Sequence, residues 1–391
     1  MVFCDIASFY TWRGGGVATY HNQKLAFFAR HPAHRYVMIA PAERDAVERV
    51  PGGTIYWARG FRFDANYRHL YRIRALRRIL RSVRPDVLEF GSPYLDYWVG
   101  VLAARGLKTV QTAFYHCDFP DTYVRPFLHR HFEGTESLAV GPLYRYVKLV
   151  YGRLDATFGA SRFVLNKLRS IGLSNMTYLP LGVDTKTFHP ARRDESFRRS
   201  LGVEGADRLL LFAGRYRADK GLDLLLSALP QILDDPALHV AFAGVGPLES
   251  EVRRWVSRHG RVHDLGYIDD KALLAKTYAS ADGFLSPGYQ DTFGLGVCEA
   301  LASGIPVVSA DAGAGAEMVF RFGCGLLFKA GDASGLARGA LTLERSAFEV
   351  KLAAAREALE IQHGWDHIFE TYVDYHESLN GKKRTSSPLG P

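Results

Sequence analysis

The chain has 391 residues, which is enough for two domains of ordinary size or for one large domain. Its apolar fraction of 47% and charged fraction of 23% are those of a globular protein and argue against an intrinsically disordered chain. No apolar run reaches the ~18 residues of a membrane-spanning helix. The four cysteines form no CxxC pair, so neither a disulfide scaffold nor a zinc site is indicated. The N-terminus lacks the features of a signal peptide, and we expect a cytoplasmic protein.

The net charge of +8 is unevenly distributed along the chain. Residues 1–182 contain 25 Lys and Arg against 13 Asp and Glu, whereas the remainder is mildly acidic. This asymmetry favours an N-terminal half that faces an anionic membrane surface or a charged substrate. We do not expect a nucleic-acid partner, because the aromatic residues of this half are not interleaved with its cations.

Short apolar strands alternate with amphipathic helices along the chain. The strands expected in a first unit are 36–40, 86–90, 108–114 and 156–161, and those expected in a second unit are 208–214, 239–246, 283–287 and 306–310. Continuous runs of Val, Leu, Ile and Ala that are separated by helices predict parallel sheets covered on both faces. The sequence therefore predicts an α/β protein with two doubly wound, Rossmann-like domains.

Glycine, proline and a run of charges interrupt this alternation at 183–205, which we interpret as a linker. It separates an N-terminal domain at 1–182 from a C-terminal domain at 206–363. Apolar residues at helical spacing predict a closing helix over 364–380 that returns toward the N-terminal domain. The polar, basic residues 381–391 are expected to form a disordered tail.

Residues 66–86 predict a basic amphipathic helix. Six apolar residues mark one face, and seven arginines occupy much of the remainder. The simpler interpretation is a surface helix that packs on a sheet. The alternative is a helix that lies on anionic lipid, because basic amphipathic helices bind such surfaces.

Three glycines at 14–16 precede another helical pattern. Gly15 and Gly16 would let the backbone approach a ligand, and the N–H groups at the start of the helix can bind an anion. A simple tight turn remains the alternative. The segment lacks the Lys-Ser/Thr of a P-loop and is not a GxGxxG fingerprint.

Two cations follow the expected strand 208–214. Arg215 and Lys220 would lie at the carboxyl end of that strand, where open parallel sheets bind their ligands. Such a pair suits a diphosphate, whose charge it can offset as the group departs. The alternative is a pair of solvated loop cations.

Two acids flank the segment DTFGLGVCE, 291–299. We expect Asp291 at the N-terminus of a helix, where main-chain amides can hold a phosphate or a sugar hydroxyl. Glu299 follows eight residues later, just over two helical turns, so both carboxylates can face one side. One would bind the transferred sugar and the other the ribose of a nucleotide. The other substrate-binding candidates of this segment are Thr292, Phe293, Gly294 and Leu295.

These motifs resemble those of the retaining glycosyltransferases of family GT4, which have the GT-B fold. The similar segments are GRYRADKGLDLLL, AGVGPLE, GYIDD, DTFGLGVCEALASGIPVV and PLGVDTKTFHP. The resemblance implies a nucleotide-sugar donor on the C-terminal domain, an acceptor on the N-terminal domain, and neither a metal ion nor another cofactor. The family motif usually begins with Glu, where this chain has Asp291. DTFG is similar to the branch that contains GDP-mannose-dependent α-mannosyltransferases.

The segment TAFYHCDFPDTYV, 112–124, is similar to the HTDFP segment of the same branch. The resemblance implies that His116 is an active-site histidine near the donor sugar, where it would steady the positive charge that grows at the anomeric carbon. The candidate catalytic residues are therefore His116, Arg215, Lys220 and Asp291.

Together, the motifs and the resemblance predict a metal-independent transfer of a hexose, with mannose favoured, from a nucleotide diphosphate sugar to a hydroxyl of a lipid or glycan acceptor. The alternative is a UDP-hexose-dependent enzyme of glycolipid synthesis that transfers a glucosyl, glucuronosyl or sulfoquinovosyl group. A nucleotide-sugar-binding protein without activity is disfavoured by the intact candidate set, and a dinucleotide-dependent oxidoreductase by the missing GxGxxG signature. We expect the protein in the cytoplasm, with peripheral attachment to the inner face of the membrane as a further expectation.

Overall fold

Two sheets organise the chain in the computed structural model, which describes residues 1–10, 15–63, 67–125, 127–128, 132, 134 and 136–385. The first sheet has eight strands and the second has six. Helices connect the parallel strands and cover the faces of both sheets, as buried apolar strands require. The prediction of an α/β protein with two Rossmann-like domains is confirmed.

The first half of the chain forms the larger sheet and a separate hairpin. Its strands are β1 Val2–Ile6, β2 Arg35–Ala42, β3 Ala46–Val50, β4 Gly53–Arg59, β5 Phe61–Arg62, β6 Arg68–His69, β7 Val87–Phe90, β8 Val110–Phe114, β9 Ala156–Gly159 and β10 Met176–Tyr178. Its helices are α1 Gly16–Arg30, α2 Ile73–Val83, α3 Leu95–Ala104, α4 Glu136–Tyr151 and α5 Arg162–Ser170. The sheet has the order β10-β9-β8-β7-β1-β2-β4-β3, and only β3 pairs in the antiparallel sense. The hairpin consists of β5 and β6.

The four strands expected in this half are confirmed as β2, β7, β8 and β9. Sequence reasoning missed β1, although it lies between β7 and β2 in the sheet. Its sequence is VFCDI, and its aspartate is buried in the fold. It also missed β10 and the strands β3 and β4 at the opposite edge.

The second half forms the smaller sheet. Its strands are β11 Arg208–Ala213, β12 Leu238–Ala243, β13 Val262–Asp264, β14 Gly283–Ser286, β15 Val307–Ala310 and β16 Gly325–Phe328. Its helices are α6 Glu195–Ser200, α7 Leu222–Ile232, α8 Glu249–Val256, α9 Lys271–Ser280, α10 Leu295–Ala302, α11 Gly313–Phe322, α12 Ala333–Thr342 and α13 Glu349–Gln362. The sheet is wholly parallel, in the order β13-β12-β11-β14-β15-β16. The four expected strands are confirmed, and β13 and β16 were missed.

The closing helix returns to the first sheet. This helix, α14 Trp365–Thr385, places the ring of Tyr372 at 5.6 Å from that of Phe3, and its His376 Nε2 lies 3.1 Å from Thr112 Oγ1. The expectation of disorder from residue 381 is wrong as far as Thr385, because a helix already anchored by packing extends by another turn at little cost. Residues 386–391 lie outside the described part, and the domain boundaries at 182 and 206 stay predictions.

The basic helix predicted over 66–86 is shorter than expected, since α2 begins at Ile73 and β6 precedes it. Its apolar face is buried in a core that it shares with α3, through Leu76, Leu80 and Val83. The simpler interpretation of that face is therefore confirmed. In the ranges that the structure describes, no helix has both the length and the apolar character needed to cross a bilayer.

Candidate active site

Lys220 lies where the loop after β11 meets the loop after β14. A Cβ atom at Gly221 would lie 2.6 Å from the carbonyl carbon of Pro287, and one at Gly288 would lie 2.8 Å from that of Lys220. Real Cβ atoms essentially never approach backbone this closely, so both positions require glycine. Because β11 and β14 are neighbours, these glycines bring two loops together at the carboxyl edge of the second sheet.

This approach places Lys220 against Asp291. The ammonium group of Lys220 donates to Oδ1 of Asp291, and both side chains remain partly exposed. Arg215 is exposed and shows no side-chain hydrogen bond to any described residue. It lies near Tyr123, whose pKa burial raises to about 12 although the charge of Arg215 acts in the opposite direction. The structure thus joins Lys220 to Asp291, and it does not place Arg215 in the same pair.

The two acids of the 291–299 segment do not share a helix. Helix α10 begins at Leu295, after Gly294 adopts the left-handed backbone with φ of 79°, so Asp291 lies on the preceding loop. The expectation that helical spacing aligns the two carboxylates is therefore wrong. Asp291 contacts Lys220, whereas Glu299 lies beside Tyr278.

Glu299 lies in a partly buried position on α10. Burial raises the pKa of its carboxyl group to about 7, although the hydroxyl of Tyr278 and the charge of Lys271 act in the opposite direction. Exclusion of water disfavours the ionised form, which is the physical cause of the shift. Glu299 therefore ionises at a higher pH than an exposed glutamate does.

His116 connects the two halves of the molecule. Its carbonyl oxygen accepts a hydrogen bond of 3.0 Å from Oγ1 of Thr292. Its ring stacks on Phe114, with centroids 4.6 Å apart, and meets the edge of Tyr20 at 5.2 Å. The Nε2 atom is buried and has no hydrogen-bond partner among the described residues. Burial lowers the pKa of His116 to about 3, so the imidazole is neutral at physiological pH.

The remaining substrate-binding candidates differ in what they can offer. Phe293 is buried and lies 6.1 Å from the ring of His363, and Leu295 packs against the same core. Phe293 can therefore reach a ligand only through its main chain. Gly15 and Gly16 lie at the start of α1, where an added Cβ would meet no atom within 4 Å. Gly14 lies outside the described residues.

Sequence reasoning missed a buried charge cluster next to His116. Lys24 is fully buried, and its Nζ donates to Asp5 at 2.8 Å, to Glu89 at 3.1 Å and to Tyr372 at 3.0 Å. Burial raises the pKa of Glu89 despite the nearby ammonium group. The available signal was a lysine on the apolar face of α1. The cluster fixes the closing helix to the strands that precede the His116 segment.

Sequence reasoning also missed a cation–π contact between the two halves of the molecule. The guanidinium of Arg217 lies 5.2 Å from the ring centroid of Tyr123, and it donates to Asp219 at 2.7 Å. Arg217 follows β11 of the second sheet, whereas Tyr123 belongs to the short π-helix Pro120–Val124 that follows His116. This cation–π contact adds to the bond between Thr292 and His116.

The cleft combines groups that can bind a charged, hydroxylated ligand. Lys220 can bind phosphate oxygens, the carboxylates can accept hydroxyl hydrogen bonds, and the neutral imidazole of His116 offers an unpartnered ring nitrogen. Within the described ranges, no group of three or more His, Cys, Asp or Glu side chains is arranged to hold a metal ion.

Two family models match the chain, one in each half. The model described as "Glycosyltransferase Family 4" matches residues 14–187. The model described as "Glycosyl transferases group 1" matches residues 207–346. The matches include the residues before α1, the His116 segment and both segments of the C-terminal cleft.

The chain is also similar in sequence to proteins that are named as mannosyltransferases. The chain is 28% identical to a GDP-mannose-dependent α-mannosyltransferase of Corynebacterium glutamicum over 65% of this chain and 58% of that protein, so it spans little more than half of that relative. It is 28% identical to a GDP-mannose-dependent α-(1-6)-phosphatidylinositol dimannoside mannosyltransferase of Mycobacterium tuberculosis over 81% of each chain.

The fold is also that of solved glycosyltransferase structures. Sucrose-phosphate synthase of Thermosynechococcus elongatus superposes with a TM-score of 0.76 and 18% identity, covering 97% of this chain and 99% of the other. At that identity the likeness establishes the fold alone, which is the GT-B fold of two facing Rossmann-like domains. The two family matches show that the chain is built from a glycosyltransferase family 4 domain and a glycosyl transferases group 1 domain.

Proposed function

We propose that the protein transfers a hexose, and mannose in the first instance, from a nucleotide diphosphate sugar to a hydroxyl of a lipid or glycan acceptor. The observation that carries this proposal is the meeting of Lys220 and Asp291 at one sheet edge, directly opposite the His116 segment. The names of the two relatives, both GDP-mannose-dependent, support GDP-mannose as the donor.

The donor binds to the second sheet in this proposal. Lys220 and Arg215 offset the charge of the diphosphate, both as it binds and as it departs as the leaving group. Glu299 accepts hydrogen bonds from the ribose, and its position on α10 behind the Asp291 loop supports this assignment. The main-chain amides at the start of α10 add donors for phosphate.

The reacting sugar lies between Asp291 and His116. As the bond to the diphosphate breaks, positive charge grows at the anomeric carbon, and a neutral imidazole can steady it without adding a repulsive charge. The low pKa of His116, about 3, supports this role. Asp291 holds hydroxyls of the sugar once Lys220 binds phosphate. We propose that the reaction retains the anomeric configuration and that these cations replace a metal ion.

The acceptor binds to the first half of the molecule, whose positive charge favours a surface with anionic lipid. Arg74, Arg78 and Arg81 are exposed on α2 while the apolar face of that helix packs inside the protein. We therefore propose electrostatic attachment without insertion of α2. The phosphatidylinositol dimannoside in the name of one relative supports a lipid acceptor.

A transfer assay with radiolabelled GDP-mannose tests the proposal. The protein is incubated with vesicles that contain phosphatidylinositol mannosides, and label is measured in the lipid extract, with and without EDTA. We expect transfer that EDTA does not abolish and that His116→Ala reduces strongly, and we expect an α-linkage in the isolated product. Transfer from UDP-glucose but not from GDP-mannose would overturn the donor assignment, and loss of all transfer in EDTA would overturn metal independence.

A further inference from the structure

Glu317 links the second half of the molecule to a helix of the first half. It lies on α11, and its carboxylate accepts from the main-chain N–H of Arg162 at 3.3 Å and from that of Phe163 at 3.1 Å. These are the first amides of α5, which have no partner inside their own helix. A negative charge at this end also interacts favourably with the helix dipole. The contact therefore anchors α5 to α11.

Helix α11 is in turn fixed to the loop that carries Asp291. The amide of Ala314 donates to the carbonyl oxygen of Asp291 at 3.3 Å. A Cβ atom at Gly313 would lie 2.4 Å from the carbonyl oxygen of Tyr289, so helix and loop touch through their backbones. A shift of α11 must therefore move this loop with it.

Helix α5 is fixed to the segment that carries His116. Lys167, on α5, donates to the carboxylates of Asp118 and Asp121. Asp118 is buried and also accepts from the hydroxyl of Tyr115 at 2.9 Å and from that of Tyr144 at 3.0 Å. A shift of α5 is thereby transmitted to the residues directly after His116.

These contacts connect the loop that carries Asp291, here called the donor loop, to the His116 segment by two routes. One arm is direct and consists of the bond from Thr292 to the carbonyl of His116 and the contact of Arg217 with Tyr123. The other arm runs from Asp291 through α11, Glu317, α5 and Lys167. We propose that Glu317 is a positioning residue that fixes the His116 segment relative to the donor loop. The arm through Glu317 is separate from the direct contacts and restricts rotation about them.

Hydrogen exchange in the full-length protein tests this arrangement without relying on any substrate. In Glu317→Ala, we expect about tenfold faster exchange in peptides that cover 162–170 and 116–121, because a charge-assisted hydrogen bond restrains local opening. The matched control is Glu357→Ala, which removes an exposed acid of α13 and should leave both peptides unchanged. Faster exchange in 162–170 alone would reduce Glu317 to a helix cap and overturn the proposal.

A second variant tests the path through Lys167. We expect Lys167→Met to raise exchange in 116–121 while Arg162 and Phe163 remain protected. Because both variants interrupt one path, exchange in the double variant should be no faster than in the more affected single variant. Independent, additive effects on 116–121 would contradict a shared path. Equilibrium unfolding of each variant shows that it is folded under the conditions used.

The kinetic consequence rests on the proposed function. With GDP-mannose as the donor, we expect Glu317→Ala to lower kcat about tenfold and to leave GDP affinity within about twofold of the wild type, because nucleotide contacts lie wholly on the second sheet. Glu317→Gln keeps one acceptor oxygen, so its kcat should lie between those of the wild type and Glu317→Ala. An equal loss of GDP affinity would contradict positioning. A wild-type protein that does not use GDP-mannose would refute the proposed donor, whereas the exchange measurements would still decide the role of Glu317.

Discussion

Lys220 and Asp291 form an ion pair although 71 residues separate them in the chain. In the structure each side chain neutralises the other. A diphosphate that binds Lys220 competes with Asp291 for the ammonium group, and the displaced carboxylate becomes available to sugar hydroxyls. The pair therefore couples recognition of the phosphate to recognition of the sugar in the function that we propose.

Replacement of Lys220 tests the phosphate contact. We expect Lys220→Ala to lower kcat/KM by roughly 100-fold, the scale of losing one charge-stabilising donor. The matched control is Lys351→Ala, an exposed lysine on α13, which should retain wild-type kinetics. Steady-state kinetics with GDP-mannose measures both variants. Activity of Lys220→Ala within a few-fold of the wild type would remove this residue from the site.

Replacement of the two acids should affect nucleotide binding and sugar binding separately. We expect Glu299→Gln to weaken the binding of GDP, because we assign this carboxylate to the ribose. Asp291→Asn should leave GDP binding nearly intact and impair the use of GDP-mannose. Isothermal titration calorimetry with GDP and kinetics with GDP-mannose provide the two readouts. The opposite pattern would exchange the assignments of the two residues.

The raised pKa of Glu299 predicts a pH dependence of donor binding. Its pKa is about 7 against an ordinary value of 4.5, so the carboxylate is ionised above about pH 7 and protonated below it. If the ionised form accepts the ribose hydroxyls, affinity should be highest above pH 7 and fall by up to about tenfold per unit below it. The same shift makes folding stability decrease as pH rises from about 4.5 to about 7, because in that window the unfolded chain has released the proton that the folded protein retains.

Calorimetric titration with GDP-mannose measures this dependence. GDP-mannose is a suitable probe because its diphosphate, esterified at both ends, has no group that titrates near pH 7. Glu299→Gln serves as the control, since it should bind weakly with little change between about pH 5.5 and about pH 8.5. A wild-type affinity that is constant over this range would show that the ionisation of Glu299 does not contribute to binding.

The exposed arginines of α2 predict salt-sensitive attachment to anionic vesicles. Each basic side chain near such a surface contributes about 1 kcal/mol, and salt screens the attraction. We expect sedimentation with phosphatidylglycerol vesicles at low salt, loss of binding at about 0.5 M salt, and reduced binding after replacement of Arg74, Arg78 and Arg81 by Gln. Arg77 is left intact, because it donates to the carbonyl oxygen of Leu102 at 2.7 Å.

A charge-matched control separates a basic face from net charge. Replacement of Arg253, Arg254 and Arg258 by Gln removes the same charge from exposed positions in the second half. We expect this variant to bind vesicles like the wild type. Equal weakening by both sets would indicate a general charge effect, and an absence of binding at any salt concentration would favour a soluble acceptor.

The sequence predicted the parts of the site that depend on local order along the chain. Strand, loop and helix follow one another around Lys220 and around Asp291, and parallel strands bring their carboxyl ends to one edge. That logic places both residues at the same edge of the sheet, although the sequence analysis did not predict the ion pair between them. The same reasoning gave the wrong geometry for Asp291 and Glu299, because Gly294 has a left-handed backbone and α10 begins only after it. The backbone conformation of one residue leaves no periodic pattern in the sequence.

Long-range burial could not be predicted in the same way. Lysine is a residue type that usually lies on the surface. The burial of Lys24 depends on Asp5, Glu89 and Tyr372, which lie on two strands and on the closing helix. The bonds from Glu317 to α5 likewise join positions about 155 residues apart. No local pattern encodes these pairings, since they arise only when distant segments of the chain are brought together.

The most direct measurement is thermal unfolding of the wild type and of Lys220→Ala during titration with GDP, UDP and ADP. A ligand that binds only the folded state raises the melting temperature with its concentration. We predict that GDP raises the melting temperature of the wild type more than UDP or ADP does, and that Lys220→Ala shows a much smaller rise. If no nucleoside diphosphate raised the melting temperature, or if Lys220→Ala responded like the wild type, the edge of the second sheet at Lys220 and Asp291 would not be the donor site.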